Sequence, residues 1–178
     1  IVSDGDIDRE RMRGSWAGAM GHTQFLPSSY RAYAVDADGD GRRDIWGSID
    51  DVMASTANYL ARAGWLEGET WGAEVVLPED FDYRLSGRDN ARSVAAWRRA
   101  GVEPVRSDAL PALREASVIL PAGARGPAFL VGDNFGAILR YNNATSYALG
   151  VALLAQRIVG EPGLKAEWPR HLSALSRD

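Results

Sequence analysis

The stretch D-A-D-G-D-G-R-R-D-I-W-G-S-I-D-D, residues 36–51, decides how the chain is read, because an acidic loop runs directly into a helix. Asp36, Asp38 and Asp40 fall at positions 1, 3 and 5 of a helix-loop-helix calcium loop. Gly41 supplies the sharp turn at position 6, Arg42 offers its carbonyl at 7 and Asp44 sits at 9. Calcium takes roughly six to eight oxygen ligands, and Gly47 occupies position 12, where the closing carboxylate belongs. Asp50 and Asp51 are the residues able to reach back. The alternative is an Asp/Gly-rich turn whose two following acids are merely favoured by a helix N-terminus.

Downstream of the loop the period is helical. Ile49, Val52, Met53, Thr56, Ala57 and Leu60 recur at helical spacing from Ser48 to Gly64, which predicts that this stripe faces a core. Ser48 and Asp51 form an S-x-x-D capping pair, and Gly64 supplies the stop. Upstream, G-S-W-A-G-A-M-G-H-T-Q-F-L-P-S-S-Y, residues 14–30, is too rich in small residues for an independent helix and too apolar for a solvated loop. Its backbone is expected to pack closely against another group, a ligand being one candidate.

The middle changes character. A-E-V-V-L-P, S-V-I-L-P and A-F-L-V are short β-rich runs punctuated by Pro and Gly, with a short helix predicted in A-R-S-V-A-A-W-R-R-A-G between them. After Asn134 the helical signal returns as a near-continuous apolar run that ends at Gly160, with Pro162 behind it, and is expected to be central to the core. The reading is an α+β chain, mainly α, divided into an α part over residues 1–72, a small mixed α/β region over 73–132, and a returning core helix with its tail over 133–178.

Composition excludes several classes. At 178 residues the chain is long enough to bury about two-thirds of its unfolded surface without cross-links. Twenty basic against twenty-four acidic side chains are interspersed and leave a net charge of -4, which argues against a nucleic-acid groove. The absence of cysteine removes disulfides and thiolate zinc sites, and His22 and His171 are too few for most histidine-built centres. The most apolar run, Tyr147 to Gly160, is interrupted by Gln156 and Arg157 and is too short to span a bilayer. The first ten residues have neither a basic start nor an apolar run, and Ile1 reads as the inside of a longer protein.

Carbohydrate chemistry would show a carboxylic acid in a partly apolar cleft, and Glu69 in G-E-T-W-G draws the eye first, although its place after a helix end suits a surface residue. Flat rings stack on sugars, and Trp16, Phe25, Tyr30, Tyr141 and Tyr147 lie in the segments richest in Asn, Gln and Ser. Each ring taken singly also suits a core. R-Y-N-N-A-T-S-Y, residues 140–147, places Tyr141, Asn142 and Tyr147 at a loop-to-helix junction, with Asn143, Thr145 and Ser146 available as helix caps.

Taken together, residues 14–30, the acidic loop, A-S-T-A-N-Y-L and R-Y-N-N-A-T-S-Y closely resemble the bacterial membrane-bound lytic murein transglycosylase B family, from about Gly5 to about Trp168. The resemblance implies a lysozyme-like fold with a calcium-binding helix-loop-helix. It also implies cleavage of peptidoglycan glycan strands between N-acetylmuramic acid and N-acetylglucosamine, leaving a 1,6-anhydromuramoyl end. In that family one glutamate acts first as general acid and then as base. It belongs to a G-V-E-x-x-x-G motif that does not occur in this chain, so the resemblance implies a catalytic acid upstream of Ile1 and no activity from these 178 residues alone.

Matched position by position, the resemblance implies substrate-binding roles for Ser15, Gln24, Phe25, Tyr141, Asn142 and Tyr147. Ser15 and Tyr141 would hold the acid and the sugar as charge develops. It implies structural calcium on Asp36, Asp38, Asp40, the Arg42 carbonyl and Asp51, with Asp50 as the competing closing residue, and no organic cofactor. The implied setting is the periplasm, with an outer-membrane lipid anchor as one form of the longer protein, acting as a monomer on glycan strands and not on nucleic acid. L-S-R-D at the end resembles the lead-in to a peptidoglycan-binding module. The rival reading is a non-catalytic, calcium-stabilised glycan-binding module that lacks the acid.

Overall fold

The computed structural model describes residues 1–170; the L-S-R-D expectation and His171 lie outside the described residues. The chain forms two compact units, Ile1–Ala63 and Gly64–Asp178.

The first unit has two helices, α1 (Pro27–Tyr33) and α2 (Ile49–Arg62). Pro27 opens α1, where its missing N–H costs nothing. Ser48 caps α2 as expected, its side chain accepting a hydrogen bond from the Asp51 N–H. The apolar stripe does not behave as its period predicts, since Ile49 is 63% and Met53 67% exposed. The buried positions of α2 are instead Asp51 and Ser55. The cause is backbone demand: Ser55 Oγ accepts the Val35 N–H at 2.9 Å, and Asp51 accepts two N–H groups of the acidic loop. Ile7, Met20, Phe25, Tyr30 and Ile45 supply the unit's apolar interior.

The second unit is built on a four-stranded antiparallel sheet of order β2-β1-β4-β3. Its strands are β1 (Gly72–Val76), β2 (Glu103–Pro104), β3 (Ser117–Ile119) and β4 (Ala128–Val131). Three of them are the β-rich runs read from the sequence; β2, two residues long, is too short to leave a periodic signal. Gly72 pairs with Val131, and a Cβ at Gly72 would fall 2.2 Å from the Leu130 carbonyl oxygen, so a side chain there would push β4 away. Helix α3 (Val94–Arg99), capped by Ser93, presses the fully buried Trp97 against Phe81, Val102, Val118 and Leu130. The Trp97 indole donates to the Ala116 carbonyl at 2.6 Å, so this fully buried ring leaves its own polar group satisfied.

The returning apolar run is two helices, α4 (Asp133–Tyr141) and α5 (Thr145–Ile158), separated at residues 142–144. α4 is the buried one, with Asn134, Phe135, Ala137, Ile138 and Leu139 inside. α5 buries only Ala148, Leu149 and Ala152, leaving Leu154 and Ile158 exposed, so the expectation of one central helix is corrected. Ala148 and Ala152 with Leu149 form its buried side, and Leu154 and Ile158 stand in solvent. Among the described residues no helix is long and apolar enough to cross a membrane.

Candidate functional site

Asp51 organises the acidic loop. It is fully buried, with Oδ1 accepting the Ala37 N–H and Oδ2 the Asp44 N–H, both at 2.7 Å, so one carboxylate ties the two arms of the loop together. One oxygen each from Asp36, Asp38 and Asp51 lie within 4.8 Å of one another, a set able to hold a metal ion, whereas Asp50 is exposed. Asp36 also accepts the Gly39 and Gly41 N–H groups, and Asp38 accepts the Ser48 hydroxyl at 2.7 Å. Asp40 accepts the Arg42 N–H and stands outside the close set; Asp44 accepts the Trp46 and Gly47 N–H groups and faces Arg11 at 3.6 Å. Three carboxylates this close, all acceptors and one of them buried, form a hard, anionic oxygen cage, the donor chemistry that suits calcium.

A second carboxylate pins the returning arm. Asp6, nearly buried, bonds the Arg43 guanidinium at 2.6 Å and the Arg43 N–H at 3.0 Å. Burial pushes its pKa up, but these hydrogen bonds outweigh that and hold it below the usual carboxylate range. Tyr30, in the same cluster, donates to the Arg43 carbonyl at 2.7 Å, and burial moves its phenol well above its ordinary pKa.

The glycine-rich segment folds back on itself, with isolated bridges between Gly14 and Met20 and between Met20 and Phe25. Ser15 is exposed and its Oγ accepts the Ala19 N–H at 3.2 Å. Gln24 is exposed and is the only described non-glycine residue with positive φ, at 52°; its side-chain amide returns to the Gly21 carbonyl at 2.9 Å. Phe25 is only 2% exposed and packs on Tyr33 and Tyr59, so its ring supports the segment from below. The close packing expected here is met by the chain itself, since a Cβ on Gly21 would fall 2.5 Å from the Ile45 carbonyl oxygen. The aromatic residues divide: Tyr30 is buried with Phe25, whereas Trp16 stands fully in solvent on the turn beside Ser15.

In the second unit, Tyr141 ends α4 half-buried, Asn142 is its exposed C-cap, and Tyr147 lies exposed in the first turn of α5. The N-cap of α5 is Ala144, which offers no side-chain cap; Asn143 instead accepts from Arg88 at 3.3 Å. The two residues line an open cavity of about 1060 Å³ with Arg114, Asp133 and Arg140. No sequence pattern marks this cavity, because Arg88, Arg114 and Arg140 come from three separate segments. Glu69 is less exposed than a surface residue: its Oε2 is buried without a hydrogen-bond partner among the described residues, and Asn134 binds its carbonyl at 2.7 Å. Gly101-Val102-Glu103 reproduces only the first three positions of the catalytic motif. Ser107 stands where the final glycine would be, and Glu103 is exposed on the short strand β2.

The description "Transglycosylase SLT domain" matches residues 1–156. The chain belongs to this family. Membrane-bound lytic murein transglycosylase B of Escherichia coli (strain K12) is 35% identical over 164 residues, covering 89% of this chain and 43% of that protein. SltB3 of Pseudomonas aeruginosa, solved in complex with NAG-anhNAM-pentapeptide, superposes with a TM-score of 0.93 at 50% identity, over 98% of this chain and 47% of its own. The Escherichia coli lytic transglycosylase Slt35, solved in complex with calcium, superposes at 0.70 with 33% identity, over 89% of this chain and 49% of its own. The chain therefore spans less than half the length of these transglycosylase relatives, and its helices with a small antiparallel sheet are the lytic transglycosylase, lysozyme-like fold.

Proposed function

We propose that this chain is the glycan-holding part of a peptidoglycan lytic transglycosylase, cleaving between N-acetylmuramic acid and N-acetylglucosamine with formation of a 1,6-anhydromuramoyl end. The observation that carries the reading is the 50% identity, over almost the whole chain, to a relative solved with a NAG-anhNAM-pentapeptide. Gln24 and Asn142 offer exposed amides to sugar hydroxyl and acetamido groups, and Tyr147 offers an exposed ring. Ser15 and Tyr141 supply hydroxyls that stabilise developing charge, with Phe25 as the buried base of the segment. The general acid is assigned to a segment upstream of Ile1, in a periplasmic protein acting as a monomer. A membrane-bound form is supported by the similarity to the membrane-bound transglycosylase of Escherichia coli.

The acidic loop is assigned to structural calcium, on Asp36, Asp38, Asp40, the Arg42 carbonyl and Asp51. The ion's role is to neutralise the clustered carboxylates and fix the loop; it takes no part in bond cleavage.

Titration of the chain with a GlcNAc-MurNAc tetrasaccharide, followed by calorimetry, tests the reading. Binding is expected, with Gln24→Ala and Tyr141→Phe each weakening it about tenfold, the loss of roughly one hydrogen bond to substrate. Absence of binding overturns the assignment. Incubation with purified murein sacculi is expected to release no anhydromuropeptides, and release would place the acid within these residues.

A further inference from the structure

In the first unit the glycine-rich segment, residues 14–30, and the acidic loop, residues 36–51, are tied together by hydrogen bonds to the returning arm of the loop. The returning arm of the loop, Arg43–Trp46, is held at the Asp44 N–H by Asp51. The next residue, Ile45, is fully buried and its carbonyl accepts the His22 N–H at 2.9 Å. The same carbonyl is the atom against which Gly21 sits too closely for any side chain. Gly21 in turn accepts both the Gln24 N–H at 3.3 Å and the Gln24 side-chain amide at 2.9 Å, and Gln24 occupies the left-handed conformation that this turn requires. On either side of Ile45, the Arg43 carbonyl takes the Tyr30 hydroxyl, and the Trp46 indole donates to the Arg13 carbonyl at 2.8 Å, just before Ser15. From the Asp51 carboxylate to Gln24, every step is a short hydrogen bond, a peptide bond or a glycine contact with no slack.

We infer that the arm Arg43–Trp46 is the positioning element of the glycan-binding segment, so that cation binding in the acidic loop and glycan binding at Gln24 strengthen each other. The inference rests on the glycan and calcium assignments made above. Its physical cause is charge. Asp36, Asp38 and Asp51 bring oxygens within 4.8 Å, and like charges at that distance push the two arms of the loop apart. A divalent cation held by these three carboxylates would remove that repulsion and leave Asp51 aligned on the Asp44 N–H. Ile45 is then fixed, and with it the carbonyl on which Gly21 and His22 rest. A glycan that selects the ordered Gln24 turn selects the same closed arm. Linkage requires the two effects to be equal in size.

The experiment measures each affinity with and without the other ligand on the full 178-residue chain, using calcium and a GlcNAc-MurNAc tetrasaccharide. Calcium is expected to tighten the tetrasaccharide at least about fivefold, and the tetrasaccharide to tighten calcium by the same factor. Hydrogen exchange provides a second readout: calcium is expected to slow exchange of the His22 and Gln24 amides in the unliganded chain, and Asp38→Asn to abolish that slowing. Two ligands that bind with independent affinities would overturn the coupling while leaving the functional reading intact. Failure of either ligand to bind would overturn the reading itself. If the tetrasaccharide alone fails, unchanged exchange at His22 on adding calcium still rejects the positioning role, and slowed exchange still supports it.

Discussion

The two units bury opposite kinds of side chain. In Ile1–Ala63 the interior holds Asp6, Asp51 and Ser55 among Ile7, Met20, Phe25, Tyr30 and Ile45, and the buried carboxylates bind the backbone of loops. In Gly64–Asp178 the sheet and α3 close on Trp97, Phe129, Val118 and Leu130, with Asn134 and Ser117 as the buried polar side chains. A unit made of irregular backbone needs acceptors inside, because its N–H groups have no helix or sheet partner. A unit made of strands satisfies its own backbone and is free to fill with hydrocarbon. The first is therefore expected to respond to ions and pH, the second to lost volume.

Trp97→Ala is expected to have the largest effect, destabilising the second unit by about 4 kcal/mol through the cavity it leaves. Thermal unfolding should show the same loss in calcium and in chelator; a calcium-dependent loss would break the contrast. Asp51→Asn should cost the first unit about 3 kcal/mol, since one of two backbone donors then faces an amide instead of a charged acceptor. Hydrogen exchange at Ala37 and Asp44 would locate the damage. Calcium at about one hundred times its dissociation constant should stabilise the first unit by about 2.7 kcal/mol. Identical melting in calcium and chelator removes the cation from the account.

Acid sharpens the contrast further. The folded pKa of Asp6 is held below its ordinary value, so its contribution is complete above the unfolded pKa near 3.8 and is lost as pH falls through the lower folded value. Stability of the first unit should decline below about pH 4, and Asp6→Asn should flatten that part of the profile in circular dichroism melts. The smallest effect expected is that of Ser93→Ala, about 1 kcal/mol in the second unit from the lost cap of α3.

The same contrast explains what could be read in advance. Helical spacing located α2, runs of β-branched and aromatic residues punctuated by Pro and Gly located β1, β3 and β4 with the short helix α3 between them, and the S-x-x-D pair marked the α2 cap. Helical spacing failed for the buried side of α2, where Asp51 and Ser55 go inside to satisfy loop N–H groups that no periodic count sees. It also failed at residues 142–144, where a polar break divides an otherwise apolar run. Among the candidate site residues, choosing between Asp50 and Asp51 required knowing which way the first turn of α2 points. Arg88 and Asn143, 55 positions apart, become neighbours only through the fold.

Asp51 has a kinetic consequence as well. Its two hydrogen bonds tie the arms of the acidic loop through the chain itself, so part of the entropy of bringing the arms together is spent during folding, and only the ordering against carboxylate repulsion is left to capture. An incoming ion then has water to shed and a nearly closed loop to order. Its arrival rate should be nearly indifferent to substitutions along the Arg43–Trp46 arm, and whatever those substitutions do to affinity should appear in how long the ion stays.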